Sequence, residues 1–341
     1  MDVYQTWTSQ PHPFRGGQAL GRRSARQTRI EVRVKPGAFE YHVPSSVSEA
    51  VEILGSLTAT SEAKLLAGGQ SLIPLMNMRL SRPDHLIDLR RIAGLQEMSV
   101  DATSISVGSM VTQRSVENSR SVADANPLLA TAVRSIAHFP IRERGTIGGS
   151  LAHADPSAEL PLLALVLAAT IDAQGPGGAR AVAANDFFLS FLTTALEEEE
   201  VITAIRFRAL TPEEGWGFSE FSRRRGDFAL VAAAATATMV DGAYESITLG
   251  FSGVADVPRL FEGASDVALG EKPSPLLWQE LARRATDSVQ PTADAHANTE
   301  DRRDLMRHLS VGVLRAATER ALRPDRHGGR SRVEPDPLQY P

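Results

Sequence analysis

Two short runs of the 341-residue chain carry residue types suited to holding an anion. Leu66-Ala67-Gly68-Gly69-Gln70-Ser71 closes a short apolar stretch, and Arg144-Gly145-Thr146-Ile147-Gly148-Gly149-Ser150 lies roughly 80 residues later. Each combines backbone free of side chains with a hydroxyl. Glycine permits positive φ and close approach, so several N–H groups can converge on one charged oxygen cluster. Together, two such loops could clamp both phosphates of a dinucleotide pyrophosphate; singly, each also fits an ordinary tight turn. Neither matches G-x-G-x-x-G or G-x-x-x-x-G-K-[ST], which argues against a Rossmann domain or a P-loop ATPase.

Other residue clusters lead less far. No G-x-S-x-G elbow supports a serine hydrolase. His153 and Asp155 lack an obvious third metal ligand and fit a turn-stabilising polar pair. Arg225-Gly226-Asp227 spells an adhesion tripeptide, but no export signal accompanies it, and the acidic run Glu197–Glu200 fits a solvated loop. The chain contains no cysteine, which excludes disulfides, zinc–thiolate sites, protein-ligated iron–sulfur clusters and catalytic thiols. A formal charge of −5 argues against nucleic-acid binding, and a composition that is 42% hydrophobic and 23% charged excludes a disordered chain. Its chemistry must therefore come from oxygen and nitrogen groups, the backbone, or a bound organic cofactor.

The elements that must position these loops can be read in turn. Residues 1–34 carry six arginines and two acids without an apolar run, as expected for a basic arm. Arg22-Arg23 is not followed by the apolar region of an export signal, and no stretch is long enough to span a membrane, so a cytoplasmic protein is expected. Phe39–Val43, Ala63–Ala67, Leu86–Leu89, Ser104–Gly108 and Val201–Phe207 read as strands. A helix after Ser48 should stop at Gly55; Leu128–Ala137 is helical up to Pro140, and Leu160–Ala169 reads as a buried helix. Pro212-Glu-Glu-Gly215 marks a boundary. Beyond it, Ala229–Val240 and Tyr244–Phe251 flank Asp241-Gly242, a strong hairpin signal. Helices then run from Pro275 to Ser288 and from an N-cap at Thr299 to Leu322. Residues 324–341, with four prolines, form a loose tail.

Leu66-Ala-Gly-Gly-Gln-Ser-Leu-Ile-Pro-Leu-Met-Asn-Met-Arg79 resembles the first FAD loop of the flavoprotein subunits of molybdenum hydroxylases, the family of carbon monoxide and xanthine dehydrogenases. The run from His138 to Pro161 is similar to the family's second loop almost throughout, and Arg224-Arg-Gly-Asp-Phe228 to the motif that opens its C-terminal domain. The likeness spans residues 35–323.

The resemblance implies an α+β protein: a two-subdomain FAD-binding fold of the vanillyl-alcohol-oxidase (PCMH) type over 35–212 (35–90 and 91–212), then a small α+β domain over 213–323. It implies FAD as cofactor, with Ala67, Gly68, Gly69, Gln70, Ser71, Thr146, Ile147, Gly148, Gly149 and Ser150 at the pyrophosphate. Glu159 would accept hydrogen bonds from the cofactor; on sequence it equally fits a carboxylate favoured at a helix N-terminus. Ile136, Leu196 and Phe228 would lie near the flavin, although the first two also read as ordinary core and the third as strand packing. Relatives often place a lysine where this chain has Ser219 or Glu220, so either Arg223 or Arg224 would supply the positive charge at the flavin, or the flavin's redox potential would differ. No residue need be a general acid or base. The implied partners are a large molybdopterin-binding subunit and a small [2Fe–2S] subunit, in a dimer of heterotrimers. A stand-alone FAD oxidoreductase of the same fold, and a scaffold that has lost its flavin, are the alternatives.

Overall fold

The structure, a computed structural model, describes residues 35–323. The basic arm and the proline-rich tail expected from the sequence lie outside the described residues. The chain begins with β1 (Glu40–His42), α1 (Val47–Thr58), β2 (Ala63–Leu66), α2 (Leu72–Asn77) and β3 (His85–Asp88). The three strands form a parallel sheet in the order β1-β3-β2. Ser46 caps α1 by accepting from the Glu49 N–H at 3.1 Å, and the Glu49 carboxylate accepts from Ser45 N at 2.7 Å. The helix runs through Gly55 to Thr58 instead of stopping there. A glycine inside a helix costs only about 0.5–1 kcal/mol relative to alanine, which burial of Ala50, Val51 and Leu54 offsets.

A second region contains β4 (Met98–Val100), β5 (Ser104–Gly108), α3 (Gln113–Asn118), α4 (Arg120–Ala125), α5 (Pro127–Val133), α6 (Phe139–Arg142), α7 (Ile147–His153), α8 (Glu159–Val166), β6 (Thr170–Gly175), β7 (Gly178–Ala183), α9 (Ala184–Phe187), β8 (Phe188–Ser190), β9 (Thr193–Thr194) and β10 (Val201–Arg208). Its antiparallel sheet has the order β4-β5-β10-β6-β7. Helix α5 ends four residues before Ala137. The Arg142 guanidinium takes the carbonyls of Ile136 (2.7 Å) and Ala137 (3.0 Å), and Ala137 sits at φ 43°, where a helix cannot continue.

The last region is β11 (Glu214–Phe221), β12 (Val231–Val240), β13 (Ala243–Ser252), β14 (Arg259–Leu260), α10 (Ala264–Ala268), α11 (Pro275–Asp287) and α12 (Thr299–Ala321), with the sheet in that strand order. Asp241 (φ 50°) and Gly242 (φ 76°) make the expected tight hairpin. Strand β12 is half alanine because both its faces are covered: Val231, Ala233, Ala235 and Ala237 pack with α11 and α12, while Ala232 and Ala234 join the core around α8. Helix α8 touches β12 and β13 on one side and α5 and α7 on another, and all eight of its residues are buried, so its sequence is apolar all round. At the start of α12 the cap is Asn298 rather than Thr299. Asn298 Oδ1 accepts from Asp301 N (2.8 Å) and Asp301 Oδ2 from Asn298 N (3.2 Å), while the Thr299 hydroxyl is diverted to Pro291 O.

Candidate cofactor site

The first glycine loop leaves the C-terminal end of β2 and turns into α2. Gly69 has φ +70°, a conformation that favours glycine. Gly68 lies so close to the second loop that a Cβ there would be 2.1 Å from the carbonyl oxygen of Arg144. A Cβ on Gly149 would be 3.1 Å from that of Ala67. The fold thus stacks the two loops backbone on backbone. Beneath them, Gly145 packs on the side chain of Gln113, and Gly148 on Ser109.

The two loops differ in what they leave free. Among the described residues, the N–H groups of Gly68, Gly69, Gln70 and Ser71 donate to no protein acceptor, and the Ser71 hydroxyl makes no cap bond. Gln70 Nε2 donates to Gly68 O at 3.0 Å and stiffens the turn. In the second loop the N–H groups are engaged: Ile147 donates to Val111 O, Gly148 to Ser109 O, Gly149 to Thr146 Oγ1 and Ser150 to Thr146 O. That loop therefore offers the hydroxyls of Thr146 and Ser150 and a surface without side chains. No lysine is needed to hold phosphate; aligned donors suffice.

Beyond the loops lies a group of buried polar side chains. Glu159 begins α8, where Ala158 provides no side-chain cap. It is 4% exposed, and burial raises its carboxyl to about 7; Asp155 adds to the rise, while its own N–H and Arg142 oppose it. Glu220, on β11, is raised to about 9 by burial first and by Glu159 second. The fold thus brings together two carboxyl groups 61 positions apart, and Glu220 Oε2 is buried with no hydrogen-bond partner among the described residues. Arg142 ties this group to Ile136: besides the Ile136 carbonyl, it meets Glu117 with Nε at 2.9 Å from Oε2.

Phe228 is 58% exposed and lies between β11 and β12, so it does not pack as a strand residue. It borders a cavity of about 490 Å³ together with Arg223, Arg224, Leu230 and His296. Gly226, at φ +85°, would place a Cβ 2.5 Å from the His138 ring, so this loop closes against the residue that caps α6. Ile136 and Leu196 are largely buried against the main core; Leu196 N donates to Thr194 Oγ1 at 3.3 Å. Arg223 and Arg224 are exposed, and Glu220 stands inside. The Glu197–Glu200 run is not wholly solvated: Glu200 is 8% exposed and accepts two bonds from Arg180, at 2.5 and 2.7 Å. A single long-range arginine explains the difference.

Sequence reasoning missed Ser109, Gln113 and Arg142. The Ser109 hydroxyl and Gln113 Oε1 are buried without partners against the second loop, like Glu220 Oε2 nearer α8. Nothing in the local sequence signals them. Unpartnered buried oxygens and close-packed glycines around the same loops fit a large polar ligand that would complete them.

Comparison with known proteins agrees with this geometry. The description "FAD binding domain in molybdopterin dehydrogenase" matches residues 37–207, and "CO dehydrogenase flavoprotein C-terminal domain" matches 216–317. The chain is 35% identical over 285 residues to the carbon monoxide dehydrogenase medium chain of Hydrogenophaga pseudoflava, covering 84% of this chain and 99% of that one. It is 34% identical over 276 residues to the nicotine 6-hydroxylase medium subunit of Paenarthrobacter nicotinovorans, covering 81% and 96%. A solved structure of quinoline 2-oxidoreductase from Pseudomonas putida 86 superimposes with a TM-score of 0.81 at 35% identity, covering 84% of this chain and 99% of that one. With both domains matched and nearly the whole length of such relatives covered, this chain belongs to the FAD-binding medium subunits of the molybdenum hydroxylase family.

Proposed function

We propose that the chain is the electron-transfer subunit of a molybdopterin-dependent hydroxylase. In this reading it takes electrons from [2Fe–2S] clusters on a small partner subunit and passes them to an external acceptor such as NAD⁺ or a quinone. The clusters are filled by substrate oxidation on a large molybdopterin-binding subunit, and the complex is a dimer of heterotrimers working in the cytoplasm. One observation supports the reading above the rest: two glycine loops stacked backbone to backbone, with four adjacent N–H groups left without protein acceptors.

Ala67 to Ser71 would hold the pyrophosphate through those N–H groups and the Ser71 hydroxyl. Thr146 and Ser150 would add hydroxyls, and Ile147, Gly148 and Gly149 would let the cofactor approach the backbone. Glu159 and Glu220 offer a buried carboxyl pair, and Ile136, Leu196 and Phe228 offer apolar walls to the ring. Bound FAD supplies a centre that takes up and releases electrons singly or in pairs. The chain's own residues bind, orient and desolvate it, and none acts as general acid or base. Because the chain has no cysteine, the clusters must be ligated by a partner.

The test is expression alone and with the partner chains. Alone, the chain should hold about one FAD and no iron, and should oxidise no substrate; with its partners, substrate should bleach its flavin absorption. A colourless chain that takes up no added FAD, or a lone chain that oxidises a substrate, would overturn the proposal.

A further inference from the structure

The parallel pairing of β1 and β3 brings together three side chains that the cofactor site does not use. Glu40 stands opposite His85 in the register, and His42 lies two residues beyond Glu40, so the pleat puts all three on one face. Tyr41, between them, points to the other face and bonds to Asp88. His42 Nε2 lies 3.1 Å from His85 Nδ1, and Glu40 Oε2 lies 3.6 Å from the same nitrogen. One ligand atom from each residue falls within 4.8 Å of the others. An ion bound tetrahedrally by imidazole nitrogen and carboxylate oxygen at about 2.0–2.2 Å separates its ligand atoms by roughly 3.3–3.5 Å, midway between the two observed distances. A bond between the two imidazoles would use only one nitrogen of each and leave the Glu40 carboxylate outside hydrogen-bond range.

We propose that Glu40, His42 and His85 form a site for a divalent transition-metal ion of the zinc or copper class. Two imidazoles and one carboxylate suit borderline cations and disfavour magnesium or calcium, which prefer oxygen ligands. Three protein ligands leave one position for water, and Glu40, with its side chain 76% exposed, provides the open side. The ion would join two strands whose ligands are 43 positions apart, closing a stretch that contains the first glycine loop. Its role is therefore a structural clamp on the subdomain that presents Ala67–Ser71.

The experiment uses the full chain stripped with EDTA and titrated calorimetrically with zinc chloride, and cobalt(II) as a spectroscopic probe. Expected are one ion per chain, a rise of a few degrees in thermal midpoint on loading, and the intense visible d–d bands of four-coordinate cobalt. His42→Ala and His85→Ala should each weaken binding at least tenfold, and Glu40→Gln by less. No zinc binding, or binding that both histidine variants leave unchanged, would overturn the proposal, since the chain has eight histidines in all. Should a histidine variant fail to fold, the wild-type cobalt spectrum and Glu40→Gln decide: weak, six-coordinate bands unaffected by the substitution would also overturn it.

Discussion

At Gly68 a single methyl group decides whether the two loops can meet. Gly68→Ala would place a carbon 2.1 Å from a backbone carbonyl that cannot rotate away, so the loops must part. We expect Gly68→Ala and Gly69→Val each to weaken FAD binding at least about a hundredfold while costing about 1–3 kcal/mol of fold stability. The ratio of flavin to protein after gel filtration, beside far-UV circular dichroism, checks this. Glu159 and Glu220 give a second prediction at the same scale. Both carboxyls are raised in the folded protein, from an ordinary 4.5 to about 7 and about 9. Between those values the folded chain holds more protons than the unfolded chain. The contribution to stability is therefore complete below pH 4.5 and lost as pH rises through 7 and on to 9, at up to about 1.4 kcal/mol per pH unit for each proton. Urea midpoints of the flavin-free chain should fall over that range, and Glu220→Gln should flatten the upper part.

At the scale of elements, much followed from local grammar and the exceptions have local causes. Asp241-Gly242 specified its hairpin because both central residues of the turn need positive φ. The α12 cap moved by one residue because Asn298 and Asp301 can bond reciprocally and Thr299 cannot. Asn298→Ala should cost about 1 kcal/mol, seen as a lower thermal midpoint with FAD content unchanged. Helix α5 ended early for a reason no window of its own residues contains: Arg142 claims the carbonyls of Ile136 and Ala137 just beyond it, and Ala137 takes φ 43°. Arg142→Met would leave Glu117 only the more exposed Arg114 and the Ile136 and Ala137 carbonyls without their donor, and we expect a loss of about 1–3 kcal/mol in chemical denaturation. Glycines 215 and 217 belong here too. A Cβ on either would strike a carbonyl of α12, at 1.8 and 2.2 Å, so β11 can lie under that helix only without side chains there.

For the molecule as a whole, the described residues form four sheets, β8-β9 being a small two-stranded one, and three hydrophobic clusters. The even face of β12 joins the FAD-binding region and the odd face joins α11 and α12, so the C-terminal domain is packed against the rest through α8. That packing carries the loop with Phe228 to His138 and the carboxyl of Glu220 to Glu159. The C-terminal domain should therefore be needed for flavin retention although both glycine loops precede it. A chain ending at residue 212 should lose FAD during gel filtration where the full chain keeps it; full retention would show that the loops suffice.

The sequence by itself determined the family, the two glycine loops that make the candidate site, the absence of any cysteine ligand for a cluster, and most strands. Those properties rest on residue types at short, fixed spacings, where covalent geometry leaves few alternatives. Only the tertiary structure decided which N–H groups of the loops stay free, that Glu159 faces Glu220, that Glu200 is buried by Arg180, and that Glu40, His42 and His85 converge. Each of these depends on burial or on a distance between residues some 20 to 61 positions apart, and strand register and core packing, not local propensity, set such distances.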